Sequence, residues 1–237
     1  FQTGAGGASL AAAMYLKELM KAKGVKGSYA LGGITGYMVD MLNEGLFEAI
    51  MDVQCFDLQA VESIRTNPAH REITASQYAS PTAKSSCASS LDIVVLGATQ
   101  IDLDFNVNVH TDSRGYIIGG SGGHTDVAEE AKLTIIVAPV SRARMPIIVD
   151  HVLTKSTPGS SVDLLATQYG IAVNPARPEI ADRLREAGLK VVDIHDLAAK
   201  ARSIIGDPDP LPFGDRVVGI VMDRHGRKLD EIHNIAE

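Results

Sequence analysis

Tryptophan is absent from this 237-residue chain, cysteine occurs only twice, and aromatic residues make up just 5%. The two cysteines, Cys55 and Cys87, are far apart and form neither a C-x-x-C pair nor a metal-ligand spacing. That argues against a disulfide-framed scaffold or a zinc ribbon and leaves reduced, buried thiols as the expectation. No apolar run reaches the roughly 20 residues of a membrane-spanning helix, and no secretory signal is visible. Lysine and arginine nowhere cluster with aromatics, and the formal net charge is −7, so a nucleic-acid surface is not expected. These absences leave a soluble, cytoplasmic protein as the expectation.

An initiator methionine is missing too. The chain opens Phe1-Gln2-Thr3-Gly4-Ala5-Gly6-Gly7 and enters a glycine turn at once, as though a strand had been cut. This suggests the C-terminal part of a longer polypeptide. A hydrophobic content of 45% over this length suffices for one large α/β domain or two small ones.

The most informative stretch lies between Leu91 and Asp126. Residues 93–96 form a short apolar run suited to a strand buried on both faces. Residues 101–109 then alternate: Ile101, Leu103, Phe105, Val107 and Val109 on one face, Asp102, Asp104, Asn106, Asn108 and His110 on the other. The alternation predicts one strand with a dry and a wet face. A turn at 112–115 and a strand at 116–118 lead into Gly119-Gly120-Ser121-Gly122-Gly123, and a helix is expected from Val127 to Lys132. Four glycines in five positions remove the Cβ atoms that would hold a ligand oxygen away and allow positive φ. Such a loop can aim several N–H groups at one anion or oxyanion, although a tight turn without a ligand has the same composition. Dinucleotide, P-loop and calcium-loop motifs each fail at a required position: no sixth glycine, no Gly-Lys-Ser/Thr, and Val107 and Ser113 where Gly and Glu belong.

Along the rest of the chain, helices are expected at 10–23 (with Ser9 as N-cap), 37–43, 57–65, 181–187 and 197–205. Strands are expected at 28–31, 47–52 and 163–167, and residues 133–140 and 146–152 read as an antiparallel hairpin around a basic turn holding Arg142 and Arg144. Residues 71–90 read as a polar surface loop. The proline-rich residues 207–212 read as a stiff spacer before a terminal hairpin at 217–222 and 228–232. Two segments are therefore expected, 1–206 and 207–237.

The glycine loop with His124-Thr125-Asp126, followed by an apolar strand and by Asp163-Leu164-Leu165-Ala166-Thr167-Gln168-Tyr169-Gly170, resembles the second catalytic domain of the acyl-CoA transferase superfamily. Leu31-Gly32-Gly33-Ile34-Thr35-Gly36, Val53-Gln54-Cys55-Phe56-Asp57, Gln77-Tyr78-Ala79-Ser80-Pro81 and Ile101-Asp102-Leu103-Asp104-Phe105-Asn106 are similar, within it, to the citrate lyase alpha-subunit family. The resemblance implies a CoA-transferase-like α/β fold, a mixed sheet flanked by helices with a C-terminal hairpin. It also implies exchange of acetate for citrate on an acyl-carrier-protein thioester. Its partners would be the acyl carrier protein (gamma) and citryl lyase (beta) subunits and a preceding transferase domain, in an oligomer. No cofactor would be tightly bound; the thioester of CoA or of a carrier-borne phosphopantetheine-type group would be substrate.

On this resemblance the catalytic residues are Gly120, Ser121, Gly122, Gly123 and Gln100, and the substrate-binding residues are Asn106, Asn108, Asp102, Gly32, Gly33 and His124. Gln100 aligns with the glutamate that many relatives use as nucleophile. An amide cannot form that covalent intermediate, which suits direct attack by the substrate carboxylate. Arg142 and Arg144 are candidate cations for citrate. Two alternatives stay open: a transferase or hydrolase with a covalent glutamyl intermediate, and a non-catalytic assembly domain.

Overall fold

Short apolar strands alternating with helices build the first of two units, Phe1–Leu96 with Glu130–Leu133. In chain order it holds β1 (Gln2–Thr3), α1 (Gly7–Lys23), β2 (Gly27–Ile34), α2 (Gly36–Asn43), β3 (Phe47–Cys55), α3 (Leu58–Thr66), β4 (His70–Glu72), α4 (Ala75–Ala79) and β5 (Ile93–Leu96). The computed structural model describes residues 1–4, 6–83, 85–207 and 210–236. Every pairing in this unit is parallel, in the order β5-β1-β2-β3-β4. Parallel strands need crossover connections, and α1, α2 and α3 supply them.

The core is aliphatic and sulfur-rich: Ala13, Met20, Ile34, Met38, Met41 and Ile50 pack together with Phe47. Each fully buried side chain of the Ile or Met size contributes roughly 1.5–3 kcal/mol. Helix α1 closes at Gly24, whose φ of 62° is the left-handed conformation glycine adopts without strain. Its N-cap is Gly6 and not Ser9, which lies buried inside the first turn with its carbonyl taken by Thr3 Oγ1. Asp57 caps α3 through Ala60 N. Within the polar stretch 71–90, read as a loop, Thr74 and Gln77 form a capping box that starts α4.

The second unit, Gly97–Glu129 with Thr134–Glu237, is mixed. It contains β6 (Gln100–Asp102), β7 (Val107–Asn108), α5 (His124–Glu130), β8 (Leu133–Val137), β9 (Ser141–Arg142), β10 (Met145–Pro146) and β11 (Ile148–Val149). Then come β12 (Leu164–Thr167), β13 (Gly170–Val173), α6 (Pro178–Glu186), β14 (Val191–Val192), α7 (Ile194–Ile205), β15 (Phe213–Met222) and β16 (Lys228–Ile235). Strand β12 lies between β8 (parallel) and β13 (antiparallel), and β14 pairs parallel with β13. The fold is thus α/β with a mixed sheet and a C-terminal hairpin, β15–β16.

Several expectations change here. Residues 101–109 are not one strand but a tight antiparallel hairpin, β6–β7. Its turn is fixed by Asp102, whose Oδ1 accepts from the N–H groups of Asp104 (3.1 Å) and Asn106 (2.8 Å), while Phe105 takes φ 64° and buries its ring. The hairpin expected from 133–140 and 146–152 survives only at its tip, β9–β10, closed by Ala143 and Arg144 at φ 48° and 64°. Beyond that tip β8 joins β12 and β11 joins β6, both parallel. Residues 116–118 make one bridge, Thr111 to Ile117, and stay exposed. Residues 207–237 fall in the second unit; Pro208 and Asp209 of the expected spacer lie outside the described residues. Among the described residues no helix is long and apolar enough to cross a membrane.

Candidate active site

The glycine loop leads directly into α5, and its amides are open. His124 N donates to Ser121 O (3.1 Å) and Val127 N to Gly123 O (3.0 Å), which starts the helix. Among the described residues, no protein acceptor is taken by the N–H of Gly120, Ser121, Gly122 or Gly123. A Cβ built on Gly119, Gly120 or Gly122 would meet nothing within 4 Å, and Gly122 sits at φ 55°. Open space and unclaimed donors on one short loop are what an oxyanion needs.

His124 anchors the end of this loop. Its Nε2 donates to Gly97 O (2.9 Å), which leaves Nδ1 to accept from Thr157 Oγ1 (2.8 Å). Burial pushes its pKa down to about 4, against the partial restoring effect of the Gly97 carbonyl; nearby His110 lowers it further. The ring is therefore neutral near pH 7 and serves as a pillar, not a cation. Around it lies a layer of buried hydroxyls. Thr125 Oγ1 donates to Ser156 O (2.7 Å), and Ser156 Oγ meets Val109 N (2.9 Å) and His110 Nδ1 (2.6 Å). Thr111 and Thr154 share a further hydrogen bond at 2.9 Å. Burial also lowers the pKa of His110.

The residues expected on a wet strand face are instead paired with one another. Asn108, fully buried, donates to Gln100 Oε1 (3.0 Å) and Thr111 Oγ1 (2.9 Å). Gln100 Oε1 also accepts from Leu153 N (3.0 Å). Asn106 Nδ2 donates to both Asp102 oxygens, and its Oδ1 accepts from Gly159 N (3.0 Å). The structure therefore brings Gln100 to Asn108 and Asp102 to Asn106, as braces of the β6–β7 hairpin.

Gln100 also lines a cavity of about 640 Å³ with an apolar wall from Met145, Pro146, Ile148, Leu211 and Phe213. Thr99, Ser113 and Ile118 line a second hollow of about 340 Å³, into which Arg114 and Arg142 both face. Neither arginine forms an ion pair among the described residues. Arg144 sits at the exposed tip of the β9–β10 turn and is not part of that lining.

A family model described as "Citrate lyase, alpha subunit" matches residues 1–235. The chain belongs to the citrate lyase alpha-subunit family. It is 52% identical over 236 residues to the citrate lyase alpha chain of Escherichia coli, covering 100% of this chain and 46% of that one. It is 49% identical to the citrate lyase alpha chain of Klebsiella pneumoniae, covering 99% and 46%. A Streptococcus mutans crystal structure assigned as the alpha subunit of citrate lyase, in complex with citrate, superposes with TM-score 0.97 at 44% identity, over 100% of this chain and 47% of that one. A malonate decarboxylase alpha subunit from Acinetobacter baumannii shares the fold at TM-score 0.57 and 15% identity, over 87% and 52%. The chain spans about half the length of the curated relatives it matches.

For a citrate lyase alpha-family chain, the remaining expected residues lie in the first unit. Gly32 (φ 103°) faces the Gln2 side chain, and a Cβ there would come within 2.8 Å of it; at Gly33 a Cβ would collide with the Phe56 ring. Both glycines permit close approach at the end of β2. Asp52, Cys55 and His70 place three potential metal-ligand atoms within 4.8 Å of one another. They are already joined: Cys55 Sγ donates to Asp52 Oδ2 (2.9 Å), which also meets His70 Nε2 (3.0 Å), while His70 Nδ1 meets Ser63 Oγ (2.9 Å). Burial and the Asp52 carboxylate push the Cys55 thiol up to about 12, so it stays protonated at neutral pH. Cys55 and Cys87 are free and half-buried. Sequence reasoning missed the hydroxyl layer of Thr154, Ser156 and Thr157. Its only trace is a run of small hydroxyl residues where a surface loop would be equally at home.

Proposed function

We propose that the protein of which this chain is part transfers an acyl-carrier thioester from acetate to citrate, giving citryl carrier protein and acetate. The observation that carries this reading is the set of unclaimed loop amides at residues 120–123 in a chain of the citrate lyase alpha family. A citrate carboxylate oxygen attacks the acetyl thioester carbonyl, and the carrier thiolate leaves, forming an acetyl–citryl anhydride. The thiolate then attacks the citryl carbonyl and acetate departs with the bridging oxygen. Both steps build negative charge on a carbonyl oxygen, which each loop N–H stabilises by roughly 3 to 4 kcal/mol in a dry site.

Gln100 supports attack by the substrate's own carboxylate. Its side chain is an amide, and its oxygen is already committed to Asn108 and Leu153. His124, neutral and held from both nitrogens, positions the loop without adding charge. The acyl carrier and citryl lyase subunits are the proposed partners, with the remaining half of the polypeptide completing the catalytic unit. The test is exchange between an acetyl thioester and citrate by the full-length polypeptide. Formation of citryl thioester with stoichiometric acetate release supports the reading; acetate release without citryl thioester would favour a hydrolase.

A further inference from the structure

The two ends of the Gln100 amide have different surroundings, and the backbone fixes which end is which. His110 N and Thr111 N both donate to Asn108 Oδ1 (3.1 Å each), so the other end of Asn108 is its NH₂ group, which donates to Gln100 Oε1 (3.0 Å). Leu153 N, which can only donate, meets the same Oε1 (3.0 Å). The oxygen is thus taken from two sides, and Nε2 occupies the opposite corner of the amide. Among the described residues nothing accepts from that nitrogen. Donors on buried side chains are almost always satisfied, so this one calls for an acceptor that the chain does not supply.

Gln100 is 4% exposed, and the space it borders is the cavity of about 640 Å³, lined throughout by residues of the second unit. Small-molecule sites have this size and this make-up, an apolar wall with a few placed polar groups. Phe213 in the wall is still 43% exposed, which leaves aromatic surface to be covered. Arg202, the guanidinium in the lining, is already neutralised, since it pairs with Asp150 and lies 3.6 Å from Asp207. His151, also in the lining, is exposed to solvent. A buried anion would therefore lose its hydration without gaining a free guanidinium. The cavity shares Ser113 and Met145 with the smaller hollow that Ile118 lines, and the glycine loop begins at the residue after Ile118.

We infer that this cavity binds a neutral acyl compound, with its apolar body against Met145, Ile148 and Phe213 and its carbonyl oxygen accepting from Gln100 Nε2. The chemistry selects a carbonyl on an uncharged chain. A carboxylate would be stripped of water, and a plain hydrocarbon would leave the amide nitrogen unpaired. The acyl thioester of the proposed exchange belongs to this class. The inference rests on that exchange only for naming the thioester; the cavity and its donor stand without it.

The experiment titrates the full-length polypeptide with two uncharged thioethers of N-acetylcysteamine, read by calorimetry or ligand-observed NMR. One carries a 2-oxopropyl group, a ketone that mimics the acyl carbonyl and has no acyl group to transfer. The other carries propyl, the same shape without the oxygen. Wild type is expected to bind the ketone about 3- to 10-fold more tightly, the usual return on one hydrogen bond. Gln100→Met, confirmed as folded by thermal melting, is expected to bring the two to within about 1.5-fold by weakening the ketone alone. Leu211→Trp, at a half-buried wall position, is expected to fill the cavity and weaken both compounds by about 10-fold or more, and it reports on the site even if Gln100→Met does not fold. A wild type that binds neither compound or does not discriminate, a Gln100→Met variant that weakens both equally or keeps the preference, or a Leu211→Trp variant that binds both as wild type does would each overturn the assignment. Exchange between acetyl thioester and citrate is scored separately: its absence with the ketone preference intact sinks the exchange and leaves the acyl site standing.

Discussion

Lowering the pH from 7 to 5 tests whether His124 is the neutral pillar of the glycine loop. In the unfolded chain a histidine titrates near 6.5, whereas burial holds His124 at about 4 in the fold. The folded state therefore resists a proton that the unfolded state accepts, and stability falls as pH drops from about 6.5 towards 4. Above that window the group contributes nothing to the pH dependence. At pH 5 the unfolded histidine is almost fully charged and the folded one mostly neutral, a cost of roughly 2 kcal/mol relative to pH 7. His124→Gln removes the titration while keeping an N–H donor for Gly97 O. Urea unfolding of wild type and variant at both pH values isolates the term, since other titrating groups cancel in the difference. Wild type should lose about 2 kcal/mol more than the variant. Equal losses, or an NMR titration of His124 centred near 6.5, would refute the argument.

Gly159→Ala should destabilise by about 3 kcal/mol or more, because the new Cβ would lie 1.9 Å from the Asp104 carbonyl oxygen; melting temperature and soluble yield report it. Asp102→Ala strips the acceptor from Asp104 N and Asn106 N and should cost about 2–4 kcal/mol in denaturant unfolding. Gly122→Val forces a β-branched side chain into φ 55°, so it should cost roughly 1–2 kcal/mol of stability although nothing crowds it, while the turnover of citrate exchange falls by about 100-fold or more through displaced amides. A fall in melting temperature with turnover intact would count against an oxyanion role for the loop.

Much of the first unit was legible because its elements are local. Helix formers from Leu10 to Lys23 closed by Gly24, and Asp57 ahead of an apolar period, appear as helices within a few residues of their expected ends. The second unit was harder, since its pairings are set by partners remote in sequence. The alternation of residues 101–109 satisfies a strand on paper, yet Asp102 can reach round a turn and satisfy two N–H groups with one carboxylate oxygen, and Phe105 finds its burial from a left-handed backbone. The polar face that looked open to substrate is consequently spent on holding a hairpin. Glycine composition did point to an open loop at 119–123, because missing side chains are visible in sequence.

The most direct test of the central idea, that the attacking carboxylate belongs to the substrate, is a single turnover of the full-length polypeptide loaded with acetyl thioester and given citrate labelled with ¹⁸O in its carboxylates. Direct attack places one citrate oxygen in the bridge of the anhydride, so the acetate released in that first turnover should carry ¹⁸O. Unlabelled acetate, with hydroxylamine trapping an acylated carboxyl on the protein, would contradict it.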